Sequence, residues 1–127
     1  MVWLWDTSQA DNNVGVHPGE GLILPVDAHA TPEKWSDGSL MRNRIQAYDS
    51  PFSRYRTDGF ALHKDGVKSK VPGKRGISVF DDRKGTYWYE SNPTAGVKVP
   101  DTNTRIDILW EHPRGTKMIL KVGPSTR

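Results

Sequence analysis

The sequence predicts an all-β fold: an antiparallel, jelly-roll-like β-sandwich of about 8–10 short strands. Three observations predict it. Twelve glycines and nine prolines are spread along 127 residues, breaking the chain roughly every eight to twelve residues, as short strands in sandwiches and barrels do. The stretches between breaks are rich in branched and aromatic residues, which suit a pleated, half-buried surface. No stretch keeps the apolar period of 3.6 over the turns that an amphipathic helix requires.

In chain order the strand candidates are 2–5, 21–27, 41–48, 59–64, 67–71, 77–80, 86–90, 96–99, 105–111 and 117–122. Turn chemistry joins two pairs. Lys64-Asp65-Gly66 links 59–64 to 67–71, and Asp-Gly favours the primed turn that matches strand twist. His112-Pro113-Arg114-Gly115-Thr116 links the last two runs; its proline has no N–H for a ladder, so this is a loop. Alternation sorts the faces of that last pair. Ile106, Ile108 and Trp110 share one face, matched by Met118, Leu120 and Val122 on the partner. That face is expected to meet a second sheet and close a core. Residues 1–123 read as one sandwich domain, with 124–127 as a frayed tail.

Composition narrows the function classes. The chain has no cysteine, which excludes disulfides, thiolate zinc sites and thiol nucleophiles. No apolar run approaches the roughly 20 residues of a membrane helix, and residues 1–6 do not read as a signal peptide. Residues 1–63 hold five Lys/Arg against eight Asp/Glu, and residues 64–127 hold thirteen against seven. The densest basic stretch is Lys64, Lys68, Lys70, Lys74 and Arg75. No aromatic interleaving or nucleic-acid motif accompanies it, so it reads as a solvated hairpin with lysines guarding its edge, not a nucleic-acid site.

Catalytic patterns are missing. His17, His29, His63 and His112 include no pair at helical zinc-ligand spacing, and there is no HExxH. Ser36, Ser39, Ser50 and Ser53 lack the G-x-S-x-G elbow. Asp81 and Asp82 are adjacent, so a strand would point them to opposite faces instead of pairing them across a cleft. Gly19-Glu20-Gly21 is not followed by the helix that a phosphate site needs. The best metal candidate is oxygen-rich: Asp6, Asp11 and Asn13 lie within residues 6–13, and calcium takes six to eight such oxygens. The alternative is a solvated turn in which these side chains bond their own backbone. Five tryptophans raise a carbohydrate-binding alternative, with Trp35 and Trp88 as stacking platforms; the competing role is core packing.

Ten strings in order carry a resemblance. They include Trp-Asp-Thr (5–7), Asp-Asn-Asn-Val-Gly (11–15), His-Pro-Gly-Glu-Gly-Leu-Ile-Leu-Pro-Val-Asp-Ala-His (17–29), Trp-Ser-Asp-Gly (35–38) and Arg-Ile-Gln-Ala-Tyr-Asp-Ser-Pro-Phe-Ser (44–53). Leu-His-Lys-Asp-Gly (62–66), Val-Phe-Asp-Asp (79–82), Tyr-Trp (87–88), Asn-Pro (92–93) and Gly-Val-Lys-Val-Pro (96–100) complete the run. Over about residues 2–122 the chain resembles the C-terminal, non-catalytic β region of immune inhibitor A-type secreted zinc metallopeptidases. The resemblance implies a bacterial, exported accessory module that supports a protease or engages protein or glycan substrates. It implies catalytic and neighbouring domains as partners. It also places zinc only in a catalytic domain that this chain does not contain, so no peptidase residue carries over.

Overall fold

Residues 1–41 and 49–125 are described by a computed structural model. In Val2-Trp3-Leu4-Trp5 the alternation works as a strand should: Val2 and Leu4 turn toward the core, while Trp3 and Trp5 stay exposed. This is strand β1 (Val2–Trp5), antiparallel to β2 (Ile23–Val26) with Leu4 opposite Leu24. β3 (Phe60–Lys64) and β4 (Val67–Val71) form a second antiparallel pair. Their turn has Asp65 at φ 51° and Gly66 at φ 79°, so both central residues are left-handed, as a primed hairpin turn demands. The third sheet has the order β5 (Val79–Asp81), β6 (Thr104–Glu111), β7 (Met118–Pro124), all antiparallel.

The class is all-β and antiparallel, as the punctuation predicts. Seven strands among the described residues form three small sheets. Two candidates fail for local reasons. Residues 85–87 make a single 3-10 turn in place of the expected strand 86–90. Residues 96–99 lie between Pro93 and Pro100 and form no ladder. They attach instead through single bonds, from Val97 N to the Tyr87 carbonyl (2.8 Å) and from Lys98 N to the Gly19 carbonyl (2.8 Å). Gly19 has φ 80°, and a Cβ there would fall 2.6 Å from Trp88 Cδ1, so this close approach needs glycine. Candidate 41–48 falls almost wholly outside the described residues.

One buried cluster joins β2 (Leu24, Val26) to β5 (Phe80) and β6 (Ile108), with Ala28, Phe52, Tyr87 and Val97 from the connections. Phe52, Phe80 and Tyr87 meet as a ring trio, with Phe80 stacked on Tyr87 at 5.3 Å and Phe52 edge-on to Phe80 at 5.8 Å. Each such side chain removed from water contributes about 1.5–3 kcal/mol. The β3–β4 hairpin adds nothing to this cluster.

β7 runs through Pro124, and buried Ser125 donates its N–H to the Asn103 carbonyl (3.2 Å) and its hydroxyl to Asp81 (2.5 Å). These bonds hold residue 125 to the third sheet and its neighbouring loop.

Candidate functional site

The largest departure from the expected facing lies in β6. Ile106 and Ile108 point inward, but the register slips between Ile108 and Trp110, leaving Leu109 as an extra residue. A bulge of this kind reverses the facing of the residues beyond it. Trp110, expected inside, is therefore exposed, and Glu111 is buried in its place. The neighbouring segment supports the inversion. Ser53 Oγ and Arg54 N donate to Glu111 Oε2 at 2.9 and 2.8 Å, and Arg54 Nη1 donates to the Ile108 carbonyl at 3.0 Å.

The partner face is also open. Met118, Leu120 and Val122 are expected under a second sheet, yet all three are exposed, Leu120 by 47%. What remains is an apolar cleft along β1. One part, of about 310 Å³, is lined by Val2, Trp3, Phe80, Ile106, Ile108 and Leu120 among others. The adjoining part, of about 300 Å³, shares Val2, Trp3, Phe80 and Ile106 and extends to Val99 and Thr104. Trp3 is 56% and Trp5 71% exposed at its rim. Soluble domains rarely leave so continuous an apolar surface uncovered without a partner for it.

Buried Asp82 lies at the polar end of the cleft, beside buried Asp81. Asp82 accepts from Thr102 N (2.9 Å), Thr102 Oγ1 (2.5 Å) and Thr104 N (2.9 Å). Burial pushes its pKa up, but these donors together outweigh burial and leave it lowered. Asp81 is lowered further, to about 2, first by the Ser125 hydroxyl and then by Arg83 acting against burial. Both carboxylates thus have their oxygens committed to protein donors. They anchor the 102–105 and 125 segments and offer no free acid or base.

Of the residues singled out from sequence, the Asp6, Asp11 and Asn13 group serves separate local bonds. Asp6 accepts from Ser8 N (2.9 Å) and Ser8 Oγ (2.6 Å). Asp11 accepts from Asn13 N (2.6 Å) and faces His17 Nε2 (2.9 Å). Among the described residues, no three His, Cys, Asp or Glu side chains gather as a metal site.

Trp35 and Trp88 are both half-buried, and each has a lysine over a ring face. Lys64 Nζ lies 5.8 Å from the Trp35 centroid, and Lys98 Nζ lies 4.7 Å from that of Trp88. Trp88 Nε1 donates to the Pro93 carbonyl (3.0 Å), and the ring borders a recess of about 280 Å³ with Arg83, Lys84 and Lys98. Within the basic stretch, Lys64 pairs with Asp37 and Lys74 with Glu33 and Asp49. Among the described residues, no helix is long and apolar enough to cross a membrane.

Sequence reasoning missed the β1 tryptophans as site residues. The signal is present in Trp3 and Trp5, an i, i+2 pair that a strand must place on one face, opposite Val2 and Leu4.

Comparison with known proteins gives this cleft a setting. The chain is 34% identical over 111 residues to the pre-pro-metalloprotease PrtV of Vibrio cholerae serotype O1, covering 86% of the chain and 12% of that protein. It is 32% identical over 119 residues to immune inhibitor A of Bacillus thuringiensis subsp. alesti, covering 87% of the chain and 17% of that protein. The chain thus spans less than a fifth of the length of either relative. The family model for the immune inhibitor A-like metallopeptidase VEG domain matches residues 1–119, nearly the whole length, and the chain belongs to that family.

Proposed function

We propose that this chain is a non-catalytic accessory module of a secreted bacterial metallopeptidase of the immune inhibitor A type, and that it supports the enzyme's other domains. The observation that carries the reading is the match of residues 1–119 to a domain that occupies only 12–17% of the protease relatives. The site geometry is in keeping with it. The prominent surface is apolar and built for packing, and the buried carboxylates are spent on structure. The chain has no HExxH helix to hold a catalytic zinc.

The test uses pure 127-residue protein with fluorescent casein, with and without added zinc. No cleavage is expected in either condition. Zinc-dependent cleavage that co-purifies with the chain and disappears in a His17→Ala or His112→Ala variant would overturn the reading.

A further inference from the structure

We infer that the β1 cleft is a strand-acceptor site, filled by an extended, alternately apolar segment from the rest of the same protease polypeptide. The inference rests on the accessory-module reading and specifies how such a module is held.

Hydrogen-bond parity orients β1. Asp6 N donates to the Leu22 carbonyl (2.9 Å), and Leu4 and Val2 are opposite Leu24 and Val26 in the same register. In an antiparallel pair the bonded positions alternate. Val2, Leu4 and Asp6 therefore bond toward β2, and the N–H and C=O groups of Trp3 and Trp5 point away from it. No strand among the described residues pairs with that side. All four β1 residues border the cleft, although their side chains alternate in direction, so the strand's free edge opens into it.

An unpaired edge beside an apolar trough is what strand addition requires. Main-chain bonds supply the affinity, and alternate side chains enter the trough. Inward side chains of the incoming strand would meet Phe80, Ile106 and Leu120. The occupant is assigned to the same polypeptide because the family's proteins extend far beyond the matched region. A tethered segment meets the edge at high effective concentration and needs little intrinsic affinity. The polar groups nearest the cleft, on Asp82, Thr102 and Thr104, are already bonded to one another, which leaves the edge and the apolar wall to do the recognition.

Amide hydrogen exchange tests this on two samples: the 127-residue protein and the polypeptide made from its uninterrupted reading frame. The Trp3 and Trp5 amides are expected to exchange at least about tenfold more slowly in the long polypeptide, with the Val67–Val71 amides unchanged. Trp3→Pro, which removes an N–H not used toward β2, should abolish the protection of Trp5. Leu120→Lys, a change on an exposed side chain, should weaken it without altering the circular dichroism of the short protein. Equal exchange in the two samples would overturn the inference, as would a reading frame no longer than residues 1–127. Concentration-dependent protection in the short protein, with a dimer in sedimentation, would make a second copy the occupant and also overturn it. Equal exchange in a longer polypeptide would overturn the inference and leave the accessory reading standing, whereas a reading frame no longer than residues 1–127 would overturn both.

Discussion

Asp81 fastens the end of the chain to the middle of the core. Its carboxylate takes the Ser125 hydroxyl, Arg83 and, at 3.7 Å, Arg105, while its N–H donates to the Tyr87 hydroxyl. Its pKa in the fold is about 2 against an ordinary 3.8, first because of Ser125. Because the folded value is the lower one, the unfolded chain takes up the proton first as pH falls. The stabilisation is complete above about pH 4 and is lost as pH drops toward 2. Asp81→Asn should lower the urea midpoint at pH 7 and flatten the fall in stability between pH 4 and 2. Ser125→Ala should do part of the same. Urea melts at about pH 7, 4 and 2.5 check this, and an Asp81→Asn protein with an undiminished acid loss would show that another carboxylate governs it.

At the scale of elements, the β3–β4 hairpin is both the most legible and the least integrated. Asp65 and Gly66 take the left-handed conformation that Asp-Gly predicts, and nothing lies within 4 Å of a Cβ placed on Gly66. Gly66→Ala therefore costs backbone strain alone, about 1–2 kcal/mol. The hairpin stands outside the buried cluster, so the cost should appear locally. Exchange of the β3 and β4 amides should speed up about tenfold, while the melting temperature hardly moves. A large drop in melting temperature would mean that the hairpin folds with the core.

β6 shows where legibility ends. Alternation correctly puts Ile106 and Ile108 inside, because a side-chain period of two needs only an unbroken strand. It fails at Trp110, because the bulge at Leu109 depends on a partner 57 residues away: Arg54 N and Ser53 Oγ must be in place to receive Glu111. Nothing local in Leu109-Trp110-Glu111 announces that. The 86–90 and 96–99 runs fail similarly. Their branched and aromatic residues do pack, with Tyr87 and Val97 in the core, but 85–87 forms a 3-10 turn and Val97 and Lys98 bond to two separate segments instead of one strand. Of the candidate site, the tryptophan pair on β1 is readable from sequence, whereas the openness of the cleft depends on how three small sheets meet.

The whole molecule combines a small core with a large uncovered apolar surface. Among the described residues nine hydrophobic ones are buried, while thirteen large ones are exposed, including Trp3, Trp5, Trp110, Met118, Ile119, Leu120 and Val122. More large apolar side chains face water than lie inside, which is a balance suited to a domain within a larger body. The 127-residue protein should therefore bind a hydrophobic dye such as ANS in its native state. Leu120→Lys places a charge in the cleft wall without emptying the core. It should reduce dye binding and shift unfolding free energy by no more than about 0.5 kcal/mol, as surface changes do. Val67→Lys, on the exposed face of the outlying hairpin, should change neither. If the two substitutions reduce dye binding equally, the dye is reading exposed apolar residues in general, and the cleft is not the surface that distinguishes this domain.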